Sequence, residues 1–163
     1  ENFFEVNVLG TINVLEAATS YRIGRFIYVS SASVYGRTEE SAKIKEDFEL
    51  NGTDSYAMTK IVSESFCKDW GNSESIKPVI VRLGWSYGPM ERPVVGSRDN
   101  MSLVYELVSK ALSDTDIRLV DIDHARDWIF VEDVSHALEG LLKQKILQYK
   151  CRIQVLLILP YQL

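Results

Sequence analysis

The chain has 163 residues, 46% of them hydrophobic, a formal net charge of −5 and a pI near 5.1. That is enough for one domain with a real core. Its 18 Lys and Arg are scattered among 23 Asp and Glu, which argues against a nucleic-acid or acidic-membrane footprint. No run approaches the ~18 apolar residues of a membrane span.

Cys67 and Cys151 have neither metal-ligand nor CxxC spacing, so no metal site and a reduced, cytoplasmic setting are expected. The opening "ENFFEVNVLG" has no initiator Met and no basic n-region, and it starts inside a helical pattern. It reads as an internal start, without a signal peptide.

Residues 2–19, "NFFEVNVLGTINVLEAAT", are apolar on nearly every side, which predicts a helix buried between other elements, with Gly24 as its stop. "RFIYVSS" (25–31) has the composition of a strand buried on both faces. The polar stretch from Gly36 to Ser55 reads as a loop. From Ser55 to Gly71 the positions of Ala57, Ile61, Val62, Phe66 and Trp70 follow helical spacing. "KPVIVRLGWSYGP" (77–89) reads as a second buried strand, stopped at Gly88-Pro89.

"SLVYELVSKAL" (102–112) is an amphipathic helix with Asn100 or Ser102 as N-cap. "IRLV" and "RDWIFV" look like short strands. "EDVSHALEGLLK" (132–143) is a further helix, with Asp133 near its positive end. Strands alternating with helices imply a parallel α/β sheet.

Chemistry concentrates in two stretches. "SYAMTK" (55–60) sets Tyr56 four residues ahead of Lys60, so both lie on one helix face. With eight Tyr in 163 residues, such a match arises by accident about 0.4 times in a chain of this composition, and two exposed residues on a helix are the ordinary reading. A phenol is a poor base at neutral pH, and a neighbouring cation favours its ionised form. "YVSSASVYG" places Ser30, Ser31 and Ser33 where a buried strand ends, the edge at which α/β sheets hold ligands. Strand-end capping is the plainer account of those hydroxyls.

Taken in order, "NVLGTINVLEAA", "FIYVSSASVYG", "SYAMTK", "VIVRLGWSYGP" and "RDWIFVEDVSHAL" resemble the extended short-chain dehydrogenase/reductases of the NAD-dependent epimerase/dehydratase type, over residues 2 to about 142. The resemblance implies part of a Rossmann-like, doubly wound parallel α/β sheet. Residues 1–89 would belong to the dinucleotide-binding domain, 90–143 to a small substrate-side region, and 144–163 to an unassigned tail.

It further implies catalysis by Ser31, Tyr56 and Lys60, with Lys60 on the nicotinamide ribose and making the phenol more acidic. NAD or NADP would lie against Asn7, Tyr56, Lys60, Leu83 and Gly84. A small-molecule substrate, a sugar or a related alcohol or ketone, would meet Ser33, Trp85 and Arg126. The reaction implied is hydride exchange at a secondary alcohol, as in an epimerase or oxidoreductase. A homodimer through helices 2–19 and 56–70 is the implied assembly.

The chain departs from the family pattern at three places. Ala32 and Ser33 stand where dehydratases carry an Asp-Glu pair, which removes the proton carriers for water elimination. Trp85 replaces the Asn of "RxxNVYGP" and favours non-sugar carbonyls, unless it packs into the core. The GxxGxxG turn that meets the pyrophosphate does not occur in these residues, nor does the acidic residue that would hold the adenosine ribose, so a catalytically inactive binding or scaffold fragment is the reading from another class. Arg126 and Asp127 are equally well a structural pair, Arg92 and Arg98 solvated loop cations, and His124 and His136 ordinary polar residues.

Overall fold

The computed structural model describes residues 2–38, 44–73, 76–92, 101–118 and 127–143, and the backbone of 152–156. The chain opens on a wide π-helical turn, Phe4–Leu9, that runs directly into helix α1, Gly10–Ser20. At the junction the Asn7 carbonyl accepts the hydroxyls of Thr11 (2.6 Å) and Ser63 (2.8 Å). Side-chain donors on a helix carbonyl compete with the regular ladder, and a locally widened turn accommodates them.

Contrary to the expectation of burial on nearly every side, only Val8, Thr11, Leu15 and Ala18 of this run are buried. Val6 is 74% exposed, and Phe4, Leu9 and Val14 are also exposed. One face of the run packs on the sheet and α2; nothing among the described residues covers the other. Nor is Gly24 the stop. Arg22 takes the left-handed conformation (φ 53°), and the amides of Arg22 and Ile23 close back on the carbonyls of Thr19 and Ala18, a Schellman-type end.

Strand β1, Phe26–Ser31, follows and leads into a 3-10 turn, Ala32–Tyr35. Helix α2, Ser55–Asn72, starts at an Asp54 cap whose side chain accepts from the Ala57 amide at 2.8 Å. The expected strand 77–89 is two strands. Strand β2, Pro78–Leu83, pairs parallel with β1 from Phe26↔Pro78 to Ser31↔Leu83. Beyond Gly84, β3 (Trp85–Tyr87) joins a separate two-stranded sheet with β4 (Trp128–Phe130), also parallel.

Helix α3, Leu103–Leu112, is capped by Ser102, whose hydroxyl accepts from the Tyr105 amide. Helix α4, Val131–Lys143, carries Glu132 and Asp133 in its first turn. Of "IRLV", Ile117 and Arg118 lie in no strand, and the remainder falls outside the described residues. The tail contributes β5, Arg152–Leu156, parallel to β2 with Val79↔Arg152 and Leu83↔Leu156.

The main sheet is thus ordered β1–β2–β5. Its core lies between the sheet and the α1–α2 layer, where Leu15, Tyr28, Cys67, Ile76 and Ile80 pack with Phe26, Phe66 and Trp70. β1 is not buried on both faces, since Val29 is 38% exposed on the face opposite Tyr28. No described helix is long and apolar enough to cross a membrane.

Candidate functional site

Parallel strands β1 and β2 both end at one edge, where the serines of β1 and its 3-10 turn lie and beside which α2 packs. Ser31, the last residue of β1, caps the 3-10 turn. Its Oγ accepts from the Ser33 amide at 3.2 Å and from the Ser33 hydroxyl at 2.9 Å. Strand-end capping therefore accounts for both of these contacts of the Ser31 hydroxyl. Leu83 is its register partner across the sheet, and Gly84 follows as the half-buried break between β2 and β3.

Tyr56 and Lys60 come from the first turns of α2. Tyr56 is 36% exposed, and its ring meets Phe3 edge-on at 5.8 Å. The Lys60 ammonium donates to the Val29 carbonyl at 3.0 Å, two residues before Ser31. It also lies 5.1 Å from the Tyr28 ring centroid and 5.7 Å from that of Tyr56. Burial pushes the Lys60 ammonium below its ordinary value, and the Glu64 carboxylate opposes that shift. Two of its three N–H donors have no described acceptor.

Asn7 reaches the same helix from the π-helical turn, its side-chain amide donating to Thr59 Oγ1 at 3.0 Å. Tyr28, below Lys60, has its phenol pushed up to about 12, chiefly by burial. Its hydroxyl feels the neighbouring Ser63 and Thr11 hydroxyls without meeting either in hydrogen-bond geometry. The Ser30 hydroxyl is also buried and unpaired.

Trp85 is 51% exposed and stands in a ring cluster with Trp128, Tyr87 and Phe130, on one side of the β3–β4 pair. Ser31, Ser33, Tyr56, Lys60, Leu83 and Gly84 thus belong to one edge of the sheet, with Asn7 beside α2 and Trp85 just beyond. Arg126, Arg98 and His124 fall outside the described residues. Arg92, Asp127 and His136 are exposed. The Asp127 carbonyl accepts the Trp85 amide at 3.2 Å. Among the described residues, no group of His, Cys, Asp and Glu could hold a metal ion.

The reading by sequence missed Arg82. This buried guanidinium makes a two-pronged bond to Glu64 (2.9 and 2.7 Å) and donates at 2.8 Å to both the Tyr35 hydroxyl and the Glu46 carbonyl. An arginine inside the apolar run "VIVRLG" was the available signal, because a lone charge in a buried strand demands a partner.

A dinucleotide has two ends to satisfy. The Lys60 donors without a described acceptor and the strand-end Ser31 hydroxyl suit the ribose hydroxyls and reacting oxygen at the nicotinamide end. The pyrophosphate end needs a glycine-rich turn that these 163 residues do not contain. The donor set therefore fits one half of the group.

The NAD dependent epimerase/dehydratase family matches residues 1–149. GDP-6-deoxy-D-mannose reductase of Pseudomonas aeruginosa is 31% identical over 145 residues, covering 85% of this chain and 46% of that protein. UDP-glucose 4-epimerase of Thermus thermophilus, solved in complex with NAD, superposes with a TM-score of 0.78 at 26% identity, over 94% of this chain and 49% of that one. RMD from Pseudomonas aeruginosa, complexed with NADPH, gives 0.75 at 27% identity, over 94% and 52%.

The chain spans about half the length of the relatives it matches, and its sheet is part of their Rossmann-like α/β fold. With the five sequence stretches in order and the strand-end hydroxyls beside the Tyr56–Lys60 helix, the chain belongs to the NAD dependent epimerase/dehydratase family.

Proposed function

We propose that this chain is the catalytic part of an NAD(P)-dependent epimerase or oxidoreductase acting on a secondary alcohol of a sugar, including nucleotide-linked sugars. The placement of the Lys60 ammonium carries this reading. It bonds to the Val29 carbonyl of β1, two residues before Ser31, and lies 5.7 Å from the ring centroid of Tyr56. A bound nicotinamide supplies the hydride acceptor and donor. The chain supplies the proton path: Tyr56 Oη exchanges the carbinol proton, the Ser31 hydroxyl hydrogen-bonds the same substrate oxygen, and Lys60 holds the ribose hydroxyls. Asn7, Leu83 and Gly84 complete the cofactor side; Ser33 and Trp85 of residues 1–89, with Arg126 of the region 90–143, face the substrate.

The sugar class rests on what similar proteins are named for, GDP-6-deoxy-D-mannose in one and UDP-glucose in another. Ala32 and Ser33 offer no carboxylic acid, so water elimination forms no part of the proposal. A half-exposed Trp85 favours one second reading, reduction of non-sugar carbonyls. We take the setting as cytoplasmic, and the assembly as a homodimer through 2–19 and 56–70, whose exposed Val6, Val14, Met58 and Val62 support it.

Calorimetric titration of NAD and NADP into the 163-residue chain, and into a protein extended upstream by a glycine-rich βαβ unit, tests the reading. Weak or no binding is expected for the short form and micromolar binding for the extended one. Equal, tight binding by both would overturn the half-site argument. In the extended protein, Tyr56→Phe is expected to lower turnover by roughly 10²–10⁴-fold with cofactor affinity unchanged. Retained turnover would remove Tyr56 from the chemistry and leave the scaffold reading.

A further inference from the structure

A buried guanidinium with four hydrogen bonds lies outside the proposed proton path. Arg82 is 2% exposed and Glu64 fully buried, yet together they tie four segments to one point. Nε and Nη2 hold the Glu64 carboxylate on α2, one turn beyond Lys60. Nη1 holds the Tyr35 hydroxyl at the end of the 3-10 turn that starts at Ser31, and the Glu46 carbonyl in the segment leading to α2. Arg82 itself stands on β2, one residue before Leu83. The guanidinium also lies 4.9 Å from the Tyr35 ring.

Stability alone does not account for such a joint. Buried ion pairs lose most of their attraction to desolvation, and apolar replacements of similar volume are often neutral or better. Four directed bonds from one planar fork fix relative geometry instead.

We infer that Arg82 is a positioning residue, setting the Ser31–Ser33 turn against the helix that carries Tyr56 and Lys60. The inference takes its meaning from the proposed proton path but acts through backbone placement alone. Two amide bonds report that placement directly: Gly52 N–H to the Val34 carbonyl, and Gly36 N–H to the Ser33 carbonyl, both 3.0 Å.

Two variants of the full chain test it, read by amide hydrogen exchange, by the Ser33 amide resonance and by thermal melting, all without cofactor. Tyr35→Phe removes one hydroxyl. The double change Arg82→Met with Glu64→Met removes both charges and keeps volume. In the double variant, exchange at Gly36 and Gly52 is expected to rise at least tenfold and the Ser33 resonance to move. The melt should stay cooperative, and protection at Leu15 and Ala18 in α1 should be unchanged. Tyr35→Phe should give a smaller effect at the same amides.

Parent-like exchange at Gly36 and Gly52, or an equal loss of protection through α1, would overturn the proposal. Should the double variant fail to fold, Tyr35→Phe decides by the same criteria. A failure of Tyr56→Phe to alter turnover would leave these results standing, so the two ideas fall separately.

Discussion

Lys60 and Tyr28 stack against each other, and burial moves their titrations in opposite directions. Burial lowers the Lys60 value, with Glu64 opposing. From that lowered value up to the ordinary ~10.4 the unfolded chain binds more protons, and Lys60's contribution to stability grows with pH. Tyr28 is pushed up to about 12 by burial. The folded chain keeps its proton where the unfolded chain has lost it, so this stabilisation is complete below about 10 and lost as pH climbs through 12. Tyr35 is also raised by burial, with its Arg82 bond opposing, and it adds to the same loss. The melting midpoint is therefore expected to fall between pH 10 and 12. Tyr28→Phe, which keeps the ring under Lys60, should flatten that fall visibly. An unchanged alkaline slope in Tyr28→Phe would mean that the Tyr28 hydroxyl is not held protonated by the fold.

At the start of α2, the polar loop and the helical spacing after it marked the boundary at Ser55, and the structure adds its cap: the Asp54 side chain accepts from the Ala57 amide at 2.8 Å. Because Tyr56 lies in the first turn, fraying there would loosen the proposed proton carrier. Asp54→Ala should cost about 1 kcal/mol by urea unfolding, and Asp54→Asn much less, since the amide oxygen can still accept. Equal losses would point to the charge at the helix start rather than to the cap. β1 and α2 were legible from composition and spacing alone, α3 and α4 also from the start chemistry of Ser102 and Asp133. The division of 77–89 was not, because Gly84 sends the chain into a second sheet without interrupting the run of apolar and aromatic residues. β5 was missed because "RIQVL" gains its place only from long-range pairing with β2. Within the site, Ser31, Tyr56 and Lys60 could be named from spacing and resemblance, whereas Arg82 becomes visible only when its four partners converge.

Across the whole molecule, a helix that is apolar all round yet exposed on one side requires an explanation from outside its own fold. Two of the exposed apolar surfaces bear on association. Phe4, Val6, Leu9 and Val14 of the first helical run join Met58 and Val62 of α2, while Val29 marks the uncovered face of β1, whose outer edge has no partner strand among the described residues. Either surface can drive association, the helices by burying apolar area and the edge by strand pairing. An upstream βαβ unit would cover the edge but leave the helices exposed, so the extended protein separates the two. It is expected to sediment as a dimer, and the double change Val14→Lys with Val62→Lys should weaken that dimer at least 100-fold, to a monomer at micromolar concentration. The 163-residue chain carrying the same two lysines should still associate, because its sheet edge is untouched. If the extended protein is a monomer from the outset, the helix face has another use and the homodimer through 2–19 and 56–70 is wrong. If it stays dimeric with both lysines present, the contact lies elsewhere on the fold, and the exposed valines need a different account.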